Sequence, residues 1–141
     1  MKQPKSVVPP FSVLPWTNEN GVTVLTVVGD LDFYTVRGLR WHLHELESTP
    51  STVIILDLAR VSFIDSCGVG LLIFGSKRLA ATGSEMKLAA MSSWTSDVLG
   101  RLGVLKLFEV FDTVENAIAS SSSQPETAPG GCEPLPNMQS C

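Results

Sequence analysis

The chain has 141 residues, with 10 basic against 14 acidic side chains for a net charge of −4, and it is 44% hydrophobic and 17% charged. That composition fills the core of one domain of ordinary size and excludes a chain disordered throughout. The acidic balance, with no basic stripe anywhere, excludes direct nucleic-acid binding by phosphate neutralisation.

The first ten residues, with Lys2, Lys5 and the Pro9-Pro10 pair, form no apolar run and read as a loose arm without a signal peptide. Phe11 to Trp16 and Val22 to Val28 are rich in β-branched and aromatic residues. The intervening Asn18-Glu19-Asn20-Gly21 offers the positive φ angles of a tight Asn-Gly turn, so the two runs are expected to pair as an antiparallel hairpin. Val36, Leu39, Leu43 and Leu46 then share one helical face, with Thr35 or Asp32 available as its cap.

Thr52 to Asp57 is a continuous apolar run of the kind that forms a central strand covered on both faces. Val61 to Ser66 leads into a helix whose inner face is expected to be Gly68, Leu71, Leu72, Gly75 and Leu79. Met86 to Ala90 reads as a short strand, and Ser93 as the cap of a helix carrying Trp94, Val98 and Leu102. Leu107 to Phe111 reads as a last strand. Asp112 with Glu115 forms a capping box ahead of Val114, Ala117 and Ile118. The order ββαβαβαβα specifies an α/β fold, a mixed and mostly parallel sheet with helices packed against it. The folded unit is expected over residues 11–120. Residues 121–141, rich in Ser, Pro and Gly, read as a disordered tail.

No run reaches the roughly 18 apolar residues of a membrane span. Cys67, Cys132 and Cys141 are scattered and odd in number, which suits a reducing, cytoplasmic setting better than a disulfide framework. The chemistry-bearing junction is Phe63-Ile64-Asp65-Ser66-Cys67-Gly68, where a strand gives way to a helix. Ser66 fits there as an N-cap. A hydroxyl at a helix start, beside free N–H groups and the positive dipole end, is also a sensible phosphoacceptor. Cys67 in the first turn is either a thiol activated by the dipole or a small buried residue.

Catalytic readings of these residues fail. A nucleophile elbow around Ser66 lacks one of its two glycines, and its histidine must follow the serine, whereas His42 and His44 precede it. Those histidines are two apart on a helix and share no face for a metal. Gly70 to Lys77 has the outline of a phosphate loop, but its Lys and Ser are in the wrong order and its middle is bulky and apolar. Neither a metal, nor a cofactor, nor an enzymatic activity is expected.

Gly29-Asp30-Leu31-Asp32 and Leu56 to Gly68, the latter reading D-L-x-x-V-x-F-I-D-S-C-G from Asp57, resemble the two signatures of anti-sigma factor antagonists. Arg101 to Phe108 is similar to that family's closing segment. On these motifs residues 11–120 are identified as a STAS domain. The resemblance implies a regulatory switch. The unmodified protein binds an anti-sigma factor that is also a Ser/Thr kinase and so releases a sigma factor. The kinase then phosphorylates Ser66, and a phosphatase resets it. Asp32, Asp65, Ser66, Cys67 and Gly68 are the implied partner-facing residues. Cys67 departs from the family's Ser or Thr at that position, and the tail is an addition to the minimal domain. The alternative within the same family is a STAS module of a stress-sensing scaffold or a lipid-transport complex.

Overall fold

The computed structural model describes residues 11–49 and 52–122. The expected N-terminal arm, Cys132, Cys141 and nearly all of the expected tail lie outside the described residues.

Strands β1 (Phe11–Thr17) and β2 (Thr23–Gly29) form the expected hairpin, in register from Phe11 opposite Gly29 to Thr17 opposite Thr23. The turn differs from a plain Asn-Gly type. Asn18 Oδ1 accepts the N–H groups of Asn20 at 2.8 Å and Val22 at 3.0 Å, and only Gly21 is left-handed, with φ of +83°. A side chain that mimics a backbone turn relieves Asn20 of any positive φ. Pro15 is tolerated because β1 lies at the edge of the sheet.

The sheet order is β1-β2-β3-β4-β5, with β3 at Val53–Arg60, β4 at Glu85–Ala89 and β5 at Glu109–Phe111. Every pairing after the hairpin is parallel, through crossovers containing α1 (Val36–Leu46), α2 (Ser66–Ala81) and α3 (Ser93–Arg101). Helix α4 (Val114–Ser122) follows β5 and runs past the expected domain end at Ser120; Ser121 is buried, its hydroxyl donating to the Ala117 carbonyl at 2.9 Å. Alternation along the strands divides the core in two. Leu25, Val27, Ile54, Leu56, Leu58, Met86 and Leu88 pack with Val36, Leu39 and Leu43 of α1 and with Leu72 and Leu79 of α2. Val22, Val24, Ile55 and Ala89 face the other way and pack with Ala117 of α4.

Several local expectations are corrected. On α2, Leu71 is only half-buried, while Gly68, Leu72, Gly75 and Leu79 are buried. On α3, Thr95 and Leu99 are buried whereas Trp94 and Leu102 are exposed. The cap there is Ser92, not Ser93: its oxygen accepts the Thr95 N–H at 3.1 Å, and the Thr95 hydroxyl reaches the Val61 carbonyl at 3.4 Å. A threonine can face the core once its hydroxyl finds such a partner. The strand expected from Leu107 starts at Glu109, because Gly103, with φ of +74°, turns the chain out of α3 into a 3-10 turn at Val104–Leu107. Thr113 caps α4 by accepting the Asn116 N–H at 3.0 Å, in place of the expected Asp112 and Glu115 box.

Candidate functional site

Parallel strands place their C-terminal ends, and the helices that follow, along one edge of the sheet, where α/β folds build their sites. After β2 the chain does not leave at once. Leu31 makes a single parallel bridge to Ile64, its N–H donating to the Phe63 carbonyl at 2.9 Å, and the Asp65 N–H donates back to the Leu31 carbonyl at 3.1 Å. These bonds lay the loop carrying Asp30 and Asp32 beside the loop that enters α2.

Asp65 organises the junction. Its backbone is extended, and its carboxylate Oδ1 accepts the N–H groups of Cys67 at 2.8 Å and Gly68 at 3.0 Å. The other oxygen, Oδ2, accepts the Phe33 N–H at 3.1 Å from the neighbouring loop. Ser66, which fitted the sequence as the cap, is therefore the first helical residue instead. A hydroxyl cannot hold three amides from two loops at once, and a carboxylate can. Ser66 is left exposed, and its hydroxyl has no partner among the described residues.

The five expected partner-facing residues are brought together, and they divide by role. Ser66 and Cys67 are exposed at the surface, so the reading of Cys67 as a small buried residue is overturned. Asp32 is half-buried and spends its Oδ1 within its own loop, accepting the N–H groups of Tyr34 at 2.9 Å and Thr35 at 3.1 Å. Thr35, the other cap candidate for α1, accepts the Asp32 N–H at 2.9 Å and donates its hydroxyl to the Asp30 carbonyl at 2.7 Å. Gly68 is buried because a Cβ there would stand 2.6 Å from the Leu31 carbonyl oxygen and 2.7 Å from Ile64 Cγ1. Asp32, Asp65 and Gly68 thus form the frame, and Ser66 and Cys67 the presented surface.

Sequence reasoning missed the aromatic side chains around this frame. Phe33 and Tyr34 meet edge to face with ring centres 5.3 Å apart, and they are 66% and 80% exposed. Phe63 stacks on Trp94 with ring centres 5.6 Å apart. Phe63 was expected only as the start of the strand-to-helix junction and Trp94 as one of the apolar residues of a helix, and both are exposed. The available signal was position rather than period: each lies in or next to a loop at the C-terminal end of a strand, where packing gives it nothing to cover.

The electrostatics are one-sided. Asp30, Asp32 and Asp65 belong to none of the ion pairs among the described residues, which join His44 and Arg78 to Glu47, Lys87 to Glu109, and Arg101 to Asp97. A phosphate on Ser66 would gain from the α2 dipole. It would find the Cys67 and Gly68 amides already taken by Asp65, so its charge would face outward, away from the fold. Gly70 to Lys77, the segment with the outline of a phosphate loop, lies inside α2. Among the described residues no group of three or more His, Cys, Asp or Glu is placed to hold a metal ion, and no helix is long and apolar enough to cross a membrane.

The STAS domain family model matches residues 16–117. The chain is 29% identical over 101 residues to the anti-sigma-F factor antagonist RsfB of Mycobacterium tuberculosis, covering 72% of this chain and 82% of that one. Its fold is similar to that of an anti-sigma factor antagonist from Mycobacterium paratuberculosis, with a TM-score of 0.70 at 23% identity over 80% of this chain and 95% of the other. It is also similar to the Bacillus cell fate determinant SpoIIAA in its phosphorylated form, with a TM-score of 0.59 at 26% identity over 78% of this chain and 97% of that one.

Proposed function

The chain belongs to the STAS domain family, and on that premise we propose that it is an anti-sigma factor antagonist switched by phosphorylation of Ser66. Unmodified, it binds an anti-sigma factor that is also a Ser/Thr kinase, and a sigma factor is released. Phosphorylation of Ser66 by that kinase ends the complex, and a phosphatase restores the unmodified form. In this reading the protein works in the cytoplasm and carries out no catalytic step of its own. The observation that carries it is the exposed Ser66 hydroxyl at the first position of α2, without a partner among the described residues because Asp65 has taken over the capping.

Support comes from two directions. RsfB is named an antagonist of an anti-sigma factor, and SpoIIAA exists in a phosphorylated form. The physics agrees, since a phosphate adds about −1.5 to −2 charges at pH 7 beside Asp30, Asp32 and Asp65. Pressing that charge against a partner surface matched to the unmodified protein costs several kcal/mol. At about 1.4 kcal/mol per tenfold, such a cost dismisses a micromolar partner.

The test is phosphopeptide mass spectrometry on the protein isolated from its own cells, with co-purifying proteins identified. Phosphate on Ser66, with an anti-sigma factor kinase bound to the unmodified fraction, is the expected result. Unmodified Ser66 under every growth condition, with a scaffold or transporter attached, would contradict it.

A further inference from the structure

We propose that residues 1–10 dock as an arm over the half of the sheet that α4 leaves bare, with Val7 and Val8 on Leu14 and Trp16, and Lys2 and Lys5 on Asp57, Asp112 and Glu115. The inference stands apart from the Ser66 switch and concerns the α4 side of the sheet.

The two faces of the sheet are covered unequally. Leu39 of α1, Leu72 of α2 and Leu99 of α3 join one core cluster, while α4 alone serves the other. Cross-strand partners share a face. Leu14 stands opposite Thr26 and Trp16 opposite Val24, so both lie on the α4 side. There Leu14 is 55% and Trp16 54% exposed, although a sheet face of this kind ordinarily buries its large apolar side chains. Between Trp16 and the start of α4 lies an open cleft of about 480 Å³, with Val24, Thr26, Asp57, Asp112 and Glu115 in its lining.

No residue that lines the cleft is basic. Asp57 is half-buried there, its Oδ1 accepting the Ala59 N–H at 3.1 Å and its Oδ2 the Thr26 hydroxyl at 3.4 Å. Asp57, Asp112 and Glu115 belong to none of the ion pairs among the described residues. The bare half of the sheet therefore calls for a cover that is apolar over β1 and basic beyond it.

Residues 1–10 have that character, with Val7 and Val8 near β1, Lys5 and Lys2 farther out, and no acid. They also start from the right place. Phe11 pairs with Gly29, and the α1 side of β1 is closed there, because Phe11 Cε2 lies 2.9 Å from where a Cβ on Gly38 would stand. The α4 side is the open one. Strands lie about 4.8 Å apart, so β3 is about 10 Å and β5 about 19 Å from β1. Pro4, Pro9 and Pro10 favour an extended chain. At about 3.1 Å per residue, such a chain carries Lys5 about 19 Å and Lys2 about 28 Å from Phe11. Both lysines reach the acids, and Val7 and Val8, at about 9–12 Å, reach Leu14.

Charge sets the other occupants aside. Residues 123–141 contain Glu126 and Glu133 and no Lys or Arg. A second copy docked through the same face would press acid against acid.

The test uses the full chain, half of it labelled with ¹⁵N, treated with a carbodiimide that joins an amine to a carboxylate it touches. Peptide mass spectrometry should find Lys2 or Lys5 joined to Asp57, Asp112 or Glu115 within single chains. Thermal unfolding of two double variants completes it. Lys2→Gln with Lys5→Gln should lower the midpoint by about 2–4 °C at low salt. The difference should vanish in 1 M salt, where charges are screened beyond about 3 Å. Lys77→Gln with Lys106→Gln removes the same charge from exposed lysines outside every ion pair among the described residues, and should melt with wild type. Links from Lys2 and Lys5 only to other carboxylates would overturn the inference, as would links to these acids only between labelled and unlabelled chains. Equal midpoints of the two double variants at low salt would overturn it as well.

Discussion

The Asp65 carboxylate accepts the backbone N–H of Phe33 at 3.1 Å, across 32 positions of sequence, while its other oxygen caps α2. One side chain therefore joins the loop after β2 to the helix that presents Ser66. Replacing it with Ala should remove the cap and this link together, at a cost of about 1–2 kcal/mol in stability. Asp65→Asn keeps one oxygen for the cap but turns an amide donor toward the Phe33 N–H, and should cost about 1 kcal/mol. Denaturant unfolding midpoints of the three proteins check the order.

Gly68 tests how closely α2 must approach the bridged loops. In Gly68→Ala the new methyl meets the Leu31 carbonyl, a backbone atom that cannot swing away. The variant should lose about 1–3 kcal/mol of stability. A melting temperature unchanged from wild type would show that the Leu31–Ile64 bridge is not a fixed contact.

Lys87 is 1% exposed under α4, with Glu109 at 3.2 Å, the Ser120 hydroxyl at 3.4 Å and the Phe111 ring centre at 5.5 Å. Glu109→Gln leaves that ammonium buried without its counter-charge. Because Glu109 itself is more than half exposed, the loss should be about 1–2 kcal/mol, less than the 3–5 kcal/mol of a fully buried pair. Lys87→Met, which removes the charge and keeps the chain length, should lie within about 1 kcal/mol of wild type. Urea unfolding of the two variants separates these outcomes.

The Arg78 guanidinium bonds both oxygens of Glu47, at 2.9 and 3.0 Å, tying the end of α1 to α2, and it holds the Glu47 carboxyl below its ordinary value. A carboxylate whose pKa is lowered on folding contributes stability that is present above its unfolded pKa and lost as pH falls through the folded one. Wild type should therefore exceed Glu47→Gln in stability at neutral pH, and the two should converge in acid. The check is a pair of melting-temperature curves from neutral pH to below the carboxylate range.

The order of elements along the chain, the hairpin and the strand-to-helix junction at Ser66 were legible because alternation, helical period and short motifs are local. What escaped was settled by contacts between distant segments. Asp65 and Ser66 are both good caps on paper, and the Phe33 N–H decides between them. Trp94 and Leu102 fit a helical face as well as Thr95 and Leu99 do, until the Val61 carbonyl and the Phe63 ring determine which way α3 turns. Cys67 was open between buried and exposed because the rotation of α2 depends on Gly68 and Gly75 sinking against Leu31 and Leu43.

The switch turns on the charge at Ser66, and the most direct measurement is the Kd of the anti-sigma factor for three full-length forms: unmodified, phosphorylated on Ser66, and Ser66→Ala. The alanine form should bind like the unmodified protein, since the Ser66 hydroxyl has no partner among the described residues, and the phosphorylated form should bind at least about 100-fold more weakly. Equal affinity of the phosphorylated and unmodified proteins would contradict the switch.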